Sequence, residues 1–209
     1  MNLLKSAAVL ALVAAAVPAD AAPLYTNAGP TGPVETPNVF GFSAASAGGN
    51  GALNFTIDGY NSLDGVNFYE DDFTFSLNGA AILQLSYDLG GGGDNVIFTN
   101  TSGAVVSSRY DDGGHWAIDV SIASLALLAG NNDFLFSYAS PSGDALGGLG
   151  GHAGAQGLGD EAWGLSNISL TGSPATGAVP EPASWALMIG GFAAAGGVMR
   201  RRKAAVSFA

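Results

Sequence analysis

The chain has 209 residues, no cysteine, and 17 acidic against 6 basic residues, for a formal net charge of −11. Such a charge works against nucleic acid and anionic membrane surfaces as partners. Without cysteine no disulfide can staple the fold, so a core or a bound cation must hold it together. The bases are also segregated: Lys5 lies near one end, Arg200, Arg201, Arg202 and Lys203 near the other, and Arg109 stands alone between residues 22 and 179.

In chain order, Lys5 precedes an apolar run over residues 7–17, which ends at Pro18 and is followed by Ala19-Asp20-Ala21. A positive end, a short apolar run and a small-x-small site predict a signal peptide over residues 1–21, cut after Ala21 by signal peptidase. An uncleaved anchor is the alternative. Residues 22–38 carry Pro23, Pro30, Pro33 and Pro37, which predicts an extended lead-in with at most an edge strand.

Beyond it, short alternating runs are separated by Gly, Asn and Asp. Residues 53–57 and 73–77 read as strands. Asn78-Gly79 between the latter and residues 82–87 is a hairpin signal. Gly90 to Gly93 reads as a turn, and residues 95–100 and 105–110 as a second pair around Thr101-Ser102-Gly103. Residues 115–122 alternate with Trp116, Ile118, Val120 and Ile122 on one face. Residues 124–129 have the length of a single helical turn, and residues 133–139 form a strand with Phe134, Phe136 and Tyr138 on one face. A glycine-rich loop over 141–159, a final strand over 162–170 and a small-residue linker over 172–179 complete the body. Many short strands with almost no helix predict an all-β domain over residues 39–171, an antiparallel sandwich of jelly-roll or concanavalin-like type.

Residues 180–203 form a different kind of segment. Pro180-Glu181-Pro182 is followed by Trp185-Ala186, an uncharged stretch over 183–199, and then Arg200-Arg201-Arg202-Lys203, with residues 204–209 as a cytoplasmic tail. As a helix, 183–199 reaches about 25 Å, a short span for a hydrocarbon core of about 30 Å. Trp185 suits the headgroup zone, and the cation block should stay on the cytoplasmic side. This segment resembles the PEP-CTERM sorting signal of Gram-negative bacteria in its Pro-Glu-Pro-x-x-Trp-Ala form. The resemblance rests on Pro180, Glu181, Pro182, Trp185, Ala186, Arg200, Arg201 and Arg202. It implies recognition by an exosortase, a membrane protease-transpeptidase that cuts at or near the Pro-Glu-Pro motif, and an association with exopolysaccharide and biofilm. On this reading those residues are substrate, not catalyst. The body resembles a recurrent domain of exported PEP-CTERM proteins through residues 58–65, 72–79 and 160–168, which implies a β-sandwich without an agreed activity.

Three kinds of chemistry are candidates. Acids gather between residues 58 and 72, with Asp58, Asp64, Asp71 and Asp72 as ligands for Ca2+, a hard cation that takes several oxygens; ordinary solvated turn acids are the bland alternative. Tyr60 and Tyr69 flank a turn and are the candidates for glycan contact, whereas Trp116 and Trp163 are read as core. Catalysis is not expected. Asp160 and Glu161 are adjacent and would face opposite ways on a strand. His115 and His152 are unclustered, and no Gly-x-Ser-x-Gly elbow occurs. The expectation is an exported, surface-sorted structural or interaction protein of the envelope or exopolysaccharide matrix, membrane-anchored before C-terminal cleavage and requiring no cofactor. A secreted carbohydrate-binding module with Ca2+ is the alternative, and a surface glycan hydrolase comes third.

Overall fold

The computed structural model describes residues 21–111, 113–140, 146–150, 157–174 and 188–193. Met1–Ala175 and Thr176–Ala209 are separate compact units. Among the described residues of the first, eleven strands follow one another: β1 (Ala22–Asn27), β2 (Val34–Glu35), β3 (Val39–Asn61), β4 (Leu63–Asp64), β5 (Asp72–Leu77), β6 (Ala80–Ser86), β7 (Gly90–Gly92), β8 (Val96–Asn100), β9 (Val105–Tyr110), β10 (Trp116–Ala139) and β11 (Glu161–Gly172). In the second, residues 188–193 are helical.

Nine strands form one antiparallel sheet in the order β1-β11-β3-β10-β5-β6-β8, with β2 also on β11 and β9 also on β10. β4 and β7 make a small parallel pair. The two long strands, β3 and β10, pair along nearly their whole length and organise the rest. Near Trp116, β10 carries β9 on its outer edge; near Ala139 it carries β5.

This ribbon doubles back. Phe40 and Phe55 both lie on β3, and a straight strand would set them about 50 Å apart at about 3.3 Å per residue. Both rings nevertheless contact Phe136, at 6.2 and 5.1 Å between centroids. The bend falls at Gly48 and Gly49, whose φ values of +90° and +95° suit glycine, and at a register slip between Ile122 and Leu125 of β10. The core then fills from both halves of the sheet. Phe55 meets Phe75 at 5.9 Å, and Phe73 meets Trp163 at 6.4 Å.

The Asn78-Gly79 hairpin forms as expected, with φ of 51° and 81°, both positive as a two-residue turn between twisted strands requires. Four expectations change. Residues 124–129 are strand, not helix, because Leu125 and Leu127 are buried and alternate while pairing with Gly51 and Gly49. Residues 96–100 and 105–110 do not pair with each other: β8 joins β6 and β9 joins β10, the chain turning as the Asn100 side chain brackets Ala104. Gly90–Gly92 is a strand rather than a free turn, braced by Asp88 Oδ1, which accepts from the Gly90 and Gly92 amides at 2.9 Å. Trp116 is 39% exposed and packs edge-on against Tyr110, whereas Trp163 is fully buried as expected.

Candidate functional site

The acidic run between residues 58 and 72 does not converge on one point. Asp64, Glu70, Asp71 and Asp72 lie on β4, on the start of β5 and on the turn between them, and all four are buried. Asp71 sits at the centre of a polar network inside the core. The Asp64 amide donates to Asp71 Oδ2 at 2.8 Å, and the Asp71 amide donates to the Asp64 carbonyl at 3.1 Å. Ser140 Oγ contacts both Asp71 Oδ1 and Glu161 Oε2, the latter at 2.6 Å, and Thr36 Oγ1 donates to Glu161 Oε2 at 3.1 Å.

Proton counting orders this network. One hydroxyl proton on Ser140 cannot serve two carboxylates. Burial pushes the Asp71 carboxyl up to about 8, despite the opposing hydrogen bonds from Ser140 and the Asp64 amide. Asp71 therefore holds its proton at neutral pH and donates to Ser140, which donates to Glu161. Ser86 Oγ donates to the Asp71 carbonyl at 2.9 Å and ties the network to β6.

A second acid pair lies alongside. Burial and the neighbouring Glu70 carboxyl push Asp72 up to about 7. The Leu146 amide donates to Asp72 Oδ2 at 2.8 Å and the Gly147 amide to Glu70 Oε1 at 2.5 Å. The Glu70 and Asp72 side chains also hydrogen-bond to each other through a shared proton, while Tyr138 OH and Trp163 Nε1 are buried with no hydrogen-bond partner among the described residues. Tyr138 is pushed up by burial and by Asp71 and Asp72.

Towards the surface, Asp64 opens onto a cleft of about 330 Å³ lined by Ser62, Asp64, Tyr69, Gly90, Gly91 and Asp160. Burial raises Asp64, and Asn67 Nδ2 donates to its Oδ1 at 2.7 Å. Ser62 Oγ donates to Asp160 Oδ1 at 2.7 Å. Asp160 thus faces the cleft while Glu161 is fully inside, so the adjacent acids do point apart.

Asp58 belongs elsewhere, which corrects its grouping with Asp64, Asp71 and Asp72. It lies on β3, with Oδ1 3.3 Å from His115 Nε2, and Asp111 Oδ2 is 3.2 Å from the same nitrogen. Tyr60 goes with it, its ring 4.9 Å from the His115 ring, so the two candidate tyrosines occupy different places. Sequence reasoning missed Thr36 and Ser140 and did not place Glu161 in this network; the three come from separate segments. One signal was present: Glu161 stands in phase with the buried Trp163 and Leu165 on β11, an acid on an inward-facing row.

The sorting residues Pro180, Glu181, Pro182, Trp185, Ala186, Arg200, Arg201 and Arg202, and Ala19 of the signal cleavage site, lie outside the described residues; Ala21 is exposed just ahead of β1. No curated protein and no solved structure matches this chain. Residues 178–203 match the family model of the PEP-CTERM protein-sorting motif. By that match the chain carries the sorting signal of exported PEP-CTERM proteins, the substrates that exosortases process.

Proposed function

We propose that the protein is a surface-sorted contact module of the cell envelope or exopolysaccharide matrix, separated from its membrane handle by an exosortase. The sorting motif at residues 178–203 carries this reading. The apolar 183–199 stretch with its arginine block and the signal-peptide pattern of residues 1–21 support it. Among the described residues no helix is long and apolar enough to cross a membrane; residues 188–193 are the described piece of the proposed span.

The body's role is contact rather than turnover. The ring contacts between the two halves of the sheet favour the finer reading of a jelly-roll-like sandwich. Ca2+ is its candidate ligand, held by Glu70 and Asp72, two buried carboxyls hydrogen-bonded to each other through a proton that a cation would replace. The cleft beside Tyr69 favours a second reading, a glycan-binding module: an aromatic ring 45% exposed borders Asp64, Asp160 and Ser62, and such a border combines a stacking face with hydroxyl-binding oxygens.

Replacing Pro180-Glu181-Pro182 by three alanines in the producing cell tests the sorting claim. The expected product is an uncut, membrane-bound form; a product of unchanged size contradicts it. Polysaccharide pull-down with the wild type and Tyr69→Ala separates the two readings of the body: retention by the wild type and its loss in the variant favour glycan binding, while no retention favours the contact role.

A further inference from the structure

We propose that Asp58, Asp111 and His115 form a binding site for a zinc-class divalent metal ion, distinct from the buried acids around Asp71. The three ligand atoms, one from each residue, all lie within 4.8 Å of one another. Asp58 comes from β3, Asp111 follows β9 and His115 precedes β10, so the site lies where the β9–β10 hairpin closes beside its neighbour strand.

The connection is built to present these atoms. The Asp111 amide donates to the His115 carbonyl at 2.9 Å, and the Gly114 amide donates to the Asp111 carbonyl at 3.1 Å. The Gly113 amide occupies Asp111 Oδ1 at 2.7 Å, which leaves Oδ2 turned to His115. A Cβ at Gly113 would stand 2.9 Å from Asp111 Oδ1 and 3.0 Å from the His115 ring, so a larger residue there would push both ligand side chains aside. The Tyr60 ring packs beside the imidazole, 4.9 Å between centroids and tilted by 32°.

Two observations point to a ligand. The first is proton arithmetic at His115 Nε2, which faces Asp58 Oδ1 at 3.3 Å and Asp111 Oδ2 at 3.2 Å. A ring nitrogen carries at most one proton and can satisfy only one of them well. A metal ion satisfies all three donors. In a tetrahedral site with bonds of about 2.0–2.2 Å, neighbouring donors lie about 3.3–3.6 Å apart, close to the 3.3 and 3.2 Å that separate His115 Nε2 from the two carboxylate oxygens. The second is Asp58 itself, only 4% exposed, whose other oxygen, Oδ2, is buried with no hydrogen-bond partner among the described residues.

Arg109 does not take over the site. Its Nη1 is 3.8 Å from Asp111 Oδ2, but its Nε already donates to Asp119 Oδ2 at 2.7 Å. An imidazole with two carboxylates suits zinc-class ions better than Ca2+, which prefers oxygen alone. The fourth position is left to water.

The test uses the full-length chain in detergent, stripped with a chelator and titrated with Zn2+ by calorimetry and with Co2+ by visible absorption. The expected result is one bound equivalent with the visible bands of tetrahedral Co2+, surviving about a hundredfold excess of Ca2+. His115→Ala and Asp58→Asn should each weaken binding about tenfold or more. His152→Ala, which alters the sequence's other histidine, should leave it unchanged. Should circular dichroism show Asp58→Asn misfolded, Asp111→Asn takes its place, since Asp111 is partly exposed. The proposal is overturned by an absence of stoichiometric binding, by binding unchanged in His115→Ala, by its loss in His152→Ala, or by displacement with Ca2+.

Discussion

Asp71 is the residue on which the pH behaviour of the body turns. Its carboxyl has an ordinary value of 3.8 in the unfolded chain, and burial pushes it to about 8 in the fold. The folded state therefore binds the proton more tightly than the unfolded chain does. Stability from this group is fully present below about pH 4 and is lost as pH rises through about 8. Asp72, pushed up to about 7, has the same sign. Asp119 has the opposite sign, because Arg109 holds it below the usual carboxylate range; its contribution disappears only in acid. The melting temperature should thus fall between about pH 5 and pH 8, and millimolar Ca2+ should restore part of it at the alkaline end. A melting temperature that rises over this range, or is indifferent to Ca2+ at pH 8, contradicts the proton-locked network or its exchange for Ca2+, respectively. Asp71→Asn should flatten the profile and melt higher than wild type at pH 8, since an amide can donate to Ser140 and still accept from the Asp64 amide. The acids themselves were visible in the sequence. Their partners were not: Ser140 and Glu161 arrive from the far end of β10 and the start of β11, and no local pattern announces that contact.

At the scale of the element, the long strands depend on glycine where backbones approach. A Cβ at Gly51 would lie 2.6 Å from the Thr171 carbonyl oxygen and 2.7 Å from Leu127 Cδ1. Gly51→Ala should therefore cost about 1–3 kcal/mol by overpacking, read as a lower denaturation midpoint. At Gly79 nothing lies within 4 Å but φ is +81°, so Gly79→Ala should cost only about 1 kcal/mol of backbone strain. Equal midpoints for the two variants would show that close strand approach does not limit the bend. The Asn78-Gly79 hairpin was legible because two residues decide it. The 23- and 24-residue lengths of β3 and β10 were not. Residues 44–52 of β3 and 129–132 of β10 are mostly alanine, glycine and asparagine, weak strand formers that extend only because each ribbon partner supplies the other's hydrogen bonds. The same reasoning explains β8 and β9: local spacing suggested a hairpin, but Leu83 and Leu85 on β6 and Ile118 and Val120 on β10 offered each strand a better-packed partner.

For the molecule as a whole, the aromatic core makes the doubled sheet one cooperative unit. Phe136 meets Phe40, Phe42, Phe55, Phe73 and Phe75, so Phe136→Ala should cost about 3–5 kcal/mol and loosen both halves together, seen as one unfolding transition at lower denaturant. Two separate transitions would mean that the halves fold independently. The all-β class was readable from period-two alternation, while the shared ribbon was not, since it is fixed by Phe136 meeting both Phe40 and Phe55, which a straight strand would keep far apart. The acidic body and the basic, apolar segment near residues 183–203 obey different physics, one built to stand in water and the other to meet a bilayer and a processing enzyme. The most direct measurement is mass spectrometry of the protein recovered from the surface and medium of its producing cells. The account predicts a polypeptide that lacks residues 1–21 and ends at or near Pro180-Glu181-Pro182; a cytosolic chain that still carries Arg200, Arg201 and Arg202 together with its first twenty-one residues contradicts it.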